Sequence, residues 1–146
     1  LEDDVSILKS NIRKSYKSLI NNGLRELKIE LFNSENIKKR LIDDFKLLHI
    51  NEAKRQTRND ATWDSQYEAI KKNDAFMIAG FRDNEMISAG YFLLSKTDCY
   101  YGSSASRRDL FDKPLFHSLM WSSILFAKDI GIKSFDLGNV YITHTT

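Results

Sequence analysis

Apolar residues recur at three- and four-residue steps near the start of the chain: Val5, Leu8, Ile12, Tyr16 and Leu19. That is the period of an amphipathic helix. Asn21-Asn22-Gly23 predicts its stop, because glycine enters the left-handed region without a Cβ penalty. The period then shortens to two. Leu27, Ile29 and Leu31 alternate with Glu26, Lys28 and Glu30, which predicts a half-buried strand. Ser34 is placed to cap a helix with the stripe Ile37, Leu41, Phe45 and Leu48, running to about residue 58. After Asn59-Asp60 a short helix is expected over 63–71, with Thr62 as its cap.

Beyond Asn73-Asp74 the texture changes. Residues 75–81 and 86–94 are apolar, and Asp83-Asn84 between them is a hairpin turn signal. Lys96-Thr97-Asp98 turns the chain into a third strand over 99–103. Three short strands joined by tight turns predict an antiparallel meander. Pro114 suits the first turn of a helix. Leu115, Leu119, Met120 and Ile124 form its apolar side, and Gly131 ends it. A last strand over 132–137 is expected parallel to its predecessor, since a helix separates them. The order predicts an α+β fold, a mixed and mainly antiparallel sheet with helices on both faces. With no linker, repeat or low-complexity segment, residues 1–146 read as a single domain.

Composition changes this picture little. Of the 146 residues 42% are hydrophobic and 29% charged, ordinary for a soluble domain large enough for a real core. No apolar run approaches bilayer length, so an integral membrane protein is not expected. The single cysteine, Cys99, excludes an internal disulfide framework and suits a reducing compartment, hence a cytoplasmic protein. A net charge of +2 does not by itself argue for nucleic acid. Basic residues nevertheless cluster at Arg13, Lys14 and Lys17, at Lys54, Arg55 and Arg58, and at Arg107 and Arg108. Such patches hold phosphates or are simply solvated faces. The chain opens at Leu1 rather than Met and ends soon after a strand, as expected of a piece cut from something longer.

The stretch 100–139 carries a pattern: Tyr100-Tyr101-Gly102-Ser103, then Arg107 and Arg108, then Pro114. It continues with Leu119, Trp121, Ile124, Ala127-Lys128, Gly131 and Phe135-Asp136-Leu137-Gly138. This order resembles the FemAB-like, peptidoglycan bridge-forming branch of the GNAT acyltransferase superfamily. Arg13-Lys14-Ser15-Tyr16 is similar to the basic helix that opens the family's transferase domain. Asn139 stands where a second glycine is usual, and the chain stops where family members continue with further strands. The resemblance therefore implies either an incomplete domain or a small, divergent relative.

The reaction it implies is attack of an amine on an activated acyl ester or thioester, in a bacterial protein of cell-envelope biosynthesis. The acceptor would be a small-molecule or lipid-linked precursor, either a peptidoglycan peptide or an amino sugar. The GNAT glycine-rich pyrophosphate loop is missing, because residues 104–114 contain no glycine. This points to aminoacyl-tRNA as donor ahead of acyl-CoA, with no tightly bound cofactor. Arg107 and Arg108 are expected to clamp a phosphate, since guanidinium matches its oxygens bidentately. Arg13 and Lys17, one helical turn apart, would share another. Ser103 and Ser104 lie near the strand whose backbone N–H serves the donor carbonyl in the resemblance. Asp136, ending an apolar strand, either orients the amine or caps the following turn. His117 is either a base near neutral pH or a satisfied or solvent-facing histidine, and Trp121 either lines a cleft or belongs to the core. His49 and Glu52 have metal-ligand spacing without a third partner, so no metal is expected. Two other readings stay open: a GNAT-like binding module without chemistry, and a plain acetyl-CoA N-acetyltransferase.

Overall fold

The computed structural model describes residues 4–10, 12, 14–55, 58–109 and 114–137. Its elements run α1 Val5–Ser10, α2 Lys14–Glu26, β1 Lys28–Phe32, α3 Lys39–Ala53, α4 Asp60–Lys71, β2 Ala75–Arg82, β3 Glu85–Leu94, β4 Asp98–Ser106, α5 Phe116–Asp129 and β5 Ser134–Asp136. The five strands form one sheet in the order β1-β2-β3-β4-β5. The first four are antiparallel neighbours, and β5 joins β4 in parallel after the α5 crossover.

Alternation along β2 divides the core between two faces. Ala75, Met77 and Ala79 pack with Phe45, Trp63 and Ile70 of α3 and α4. Phe76 and Ile78 pack with Leu119 and Ala127 of α5. Every residue from Ala75 to Gly80 is therefore buried, which explains the continuous apolar run. The β2–β3 turn follows its local signal: Asp83 and Asn84 have φ of 52° and 65°, as a type I′ turn requires.

Three local expectations gave way. The opening helix is two, and the second runs through Asn21-Asn22-Gly23 instead of ending there. Gly23 is needed for approach, not for a turn. A Cβ on it would lie 2.6 Å from Ser118 Cβ and 3.2 Å from the Leu115 carbonyl, so only glycine lets α2 rest this closely on α5. Ser34 caps nothing. Asn33 and Asn36 fold that segment into a turn, with Asn33 N–H donating to Asn36 Oδ1 at 2.7 Å and Asn36 Nδ2 donating to the Leu31 carbonyl at 3.0 Å. Helix α3 starts only after Lys38, which makes no side-chain cap bond. Asn59, not Thr62, caps α4, its Oδ1 accepting from Thr62 N–H at 2.9 Å. At the other end of the chain Gly131 does end α5, with φ of 89°.

Candidate active site

Among the described residues β4 and β5 pair at Asp98/Ser134, Cys99/Phe135 and Tyr100/Asp136, while β4 continues to Ser106. Ser134 Oγ donates to Asp98, tying the start of the pair. The later half of β4 also changes register. Tyr91 faces Ser103 and Phe92 faces Tyr101, so Gly102 is an extra residue in β4. The bulge puts Tyr101 and Ser104, three positions apart, on one face, where their hydroxyls meet at 2.6 Å.

The bulge also sorts the backbone. Arg107 N–H donates to the Ile87 carbonyl at 2.8 Å. Antiparallel pairs alternate, so Ala105 and Ser103 also bond toward β3, while the N–H groups of Ser104 and Ser106 point away from it. There lies a cavity of about 710 Å³. Its walls are the later half of β4, the first half of α5 from Leu115 to Ile124, residues Ile12, Tyr16 and Ile20 of the opening segment, and Leu137 after β5. The wall is mostly apolar and aromatic. Its polar members are the Tyr16, Tyr101, Ser104 and Ser106 hydroxyls, His117, Arg107 and Arg108.

The sequence candidates fall into three groups. Ser104, His117, Trp121, Arg107 and Arg108 come together at the cavity. Ser103 does not: it is buried against Tyr91 on the α3 side, with Oγ lacking a hydrogen-bond partner among the described residues. Asp136 is exposed and does not line the cavity, and neither does Lys17. Arg13, the glycine at 138 and Asn139 lie outside the described residues.

His117 occupies the first turn of α5. Its ring stands 5.0 Å from that of Tyr16, tilted by 43°. Burial holds its pKa below the ordinary imidazole value, and Nδ1 has no hydrogen-bond partner among the described residues. A neutral imidazole in a dry wall can accept a proton.

The two arginines differ. Arg107 Nη1 sits 2.7 Å from Glu85, and its Nη2 and Nε reach Asp109 at 2.8 and 3.2 Å. Those carboxylates hold its charge and occupy its fork. The Arg107 guanidinium ties the loop after β4 to the β2–β3 hairpin, so a phosphate reaching it would share the fork with these carboxylates. Arg108 instead anchors through its backbone N–H, which donates to Glu52 at 3.3 Å.

The described residues do not form the glycine-lined cradle that coenzyme A pyrophosphate takes in many GNAT sites. Leu115, at the N-cap of α5, makes no side-chain cap bond, and no glycine lines the cavity among the described residues. No group of three or more His, Cys, Asp or Glu suited to a metal ion occurs among them. No described helix is long and apolar enough to cross a membrane.

Sequence reasoning missed Tyr16, Tyr101 and Phe116 as cavity residues. Tyr16 and Tyr101 each sat inside a quoted motif, but nothing local says which way either ring turns.

No family model and no curated protein matches the sequence. Solved structures do. FemX superposes with a TM-score of 0.71 at 11% identity, covering 94% of this chain, which spans 50% of FemX. An aminoglycoside acetyltransferase from an uncultured soil metagenomic sample, in complex with sisomicin, gives 0.65 at 11% identity over 79% of this chain and 78% of its own. AAC(6')-Iy, in complex with the bisubstrate analog CoA-S-monomethyl-acetylneamine, gives 0.61 at 10% identity over 77% and 79%. The chain has the GNAT fold, and FemX is a neighbour from the branch its sequence resembles.

Proposed function

We propose that residues 1–146 form one transferase domain and that the cavity between β4 and α5 is its site of N-acyl transfer. One observation carries the reading. The half of β4 beyond its described pairing with β5 walls a cavity of about 710 Å³ that also holds the first turns of α5 and His117. In this reading the Ser104 N–H stabilises the oxyanion that develops on the donor carbonyl. The acceptor nitrogen bonds the acyl carbon, and the bond from that carbon to the carrier's oxygen or sulfur breaks. His117 takes the proton the nitrogen loses and passes it to the departing atom. The Ser104 hydroxyl, paired with Tyr101, holds the β4 bulge in place rather than attacking.

The acceptor is an amine on a cell-envelope precursor, a peptidoglycan peptide or an amino sugar. The family resemblance and the FemX likeness support this choice. The donor is an aminoacyl-tRNA or an acyl-CoA, and both are made in the cytoplasm, where the domain would act. A complex of AAC(6')-Iy with a coenzyme A bisubstrate supports the thioester, while the missing glycine loop favours the tRNA ester.

Full-length protein should be incubated with alanyl-tRNA or acyl-CoA and with muramyl-peptide or glucosamine acceptors, and products weighed by mass spectrometry. An amide from any pair supports transfer, and none from every pair overturns it. A second reading, a binding module without chemistry, is favoured by the engagement of Arg107 with Glu85 and Asp109. It predicts calorimetric binding of the same ligands with no product.

A further inference from the structure

We infer that the cavity receives an apolar acyl group of several carbons, aliphatic or aromatic, in preference to an acetyl or a cationic aminoacyl group. The inference rests on the transfer reading and names its donor class.

Size is the first argument. At roughly 30 Å³ for a water-sized group, an acetyl group of three heavy atoms would occupy on the order of a tenth of a cavity of about 710 Å³. A donor that leaves most of an apolar wall in contact with water gains nothing from it.

Lining is the second. Ile12, Ile20, Met120, Ile124 and Leu137 are all in the wall of the cavity. No carboxylate lines it among the described residues. An α-ammonium entering there would lose its water with no counter-charge to replace it. Two arginines also stand in the same wall. Arg107 already has two carboxylates. Arg108 makes no ion pair among the described residues, so its field repels a cation and suits an anionic carrier. An apolar hollow with a guanidinium in its wall complements a molecule with an apolar chain and an anionic end.

The polar parts serve the carbonyl end. Ser104, Ser106 and His117 line one cavity with the apolar residues, so a chain lying in the hollow brings its thioester or ester to the reacting groups.

The test is a chain-length series on full-length protein. Acetyl-, butyryl-, hexanoyl- and octanoyl-CoA are titrated calorimetrically, with free octanoate as a carrier-free probe. Affinity should rise about fourfold per added methylene until the hollow fills, the value for burying one methylene. Ile124→Phe, which adds bulk from α5, should shorten the preferred chain. Met120→Phe is the second variant should the first fail to fold. A flat or falling series with octanoate also unbound overturns the inference. Amide formation from acetyl-CoA as fast as from octanoyl-CoA overturns it too and leaves the transfer reading standing. A rising affinity series with no amide from any donor supports it and removes the transfer reading. Octanoate binding without acyl-CoA binding supports it with a different carrier.

Discussion

Gly23→Ala should destabilise the protein, although helix propensity alone says the opposite. In a helix interior alanine is favoured over glycine by about 1 kcal/mol. At position 23 the added Cβ falls within van der Waals contact of Ser118 Oγ, 2.6 Å from Ser118 Cβ and 3.2 Å from the Leu115 carbonyl oxygen. None of these can swing away. Ser118 is fully buried, and its Oγ donates to the Leu115 carbonyl at 2.8 Å inside α5. Helix α2 must therefore lift from α5, and overpacking of this kind costs about 1–3 kcal/mol. Against the propensity gain we expect a net loss of up to about 2 kcal/mol, or a Tm lowered by up to about 8 °C in a chain of this size. Tyr16 and Ile20 ride on the same helix, so octanoyl-CoA binding should weaken as well. Urea titrations of wild type, Gly23→Ala, Ser118→Ala and the double variant form a cycle. Removing the Ser118 hydroxyl relieves the tightest contact, so the double variant should be more stable than the single losses sum to. A Gly23→Ala protein more stable than wild type, or additive losses, would refute the close-packing argument.

Further outcomes concern titration and charge. Burial lowers the His117 pKa in the folded state, so the unfolded chain binds the proton more readily below about pH 6.5. Stability should therefore fall as pH drops through 6.5 toward the folded value, and His117→Gln should reduce that slope. His49, lowered by burial and by Arg58, adds a slope of the same sign that remains in the variant. In the transfer assay His117→Gln should slow amide formation about 10²–10⁴-fold, the usual contribution of a general base, while leaving donor affinity close to wild type. Burial pushes the Cys99 thiol up to about 12, so iodoacetamide at pH 8 should label it only as fast as urea unfolds the chain. Rapid labelling in native buffer would contradict its place in the core. Glu85→Ala should change stability by less than about 1 kcal/mol, because the Arg107 pairs are largely exposed. Arg108→Ala should weaken acyl-CoA binding more than Arg107→Ala does, and equal losses would contradict the difference drawn between them.

The hairpin at Asp83-Asn84, the meander and the crossover helix were legible because each rests on local chemistry. A type I′ turn needs two residues that tolerate positive φ, and a strand buried on both faces needs an unbroken apolar run. The likeness of residues 100–139 to FemAB-like proteins pointed to the β4–α5 unit that supplies much of the cavity wall. Helix caps were less legible. Ser34 has the right chemistry, but the Asn36 and Ile37 N–H groups it would cap donate instead to the Asn33 carbonyl. The candidate site was legible as a neighbourhood and not as a set of side chains. Ser103 and Ser104 are adjacent and chemically identical, and the extra residue at Gly102 decides which of them faces the cavity.

What the sequence determined by itself was the list of elements and their order, because period, turn chemistry and burial act over a few residues. Tertiary structure alone decided three things. Gly23 permits helix contact instead of ending a helix, because Ser118 lies ninety-five positions away. Arg107 is taken up by Glu85, because pairing of β3 with β4 brings together residues twenty-two apart. The cavity exists because β4, α5 and α2, remote from one another along the chain, pack around one space. Each depends on distances between segments remote along the chain, which local patterns do not encode.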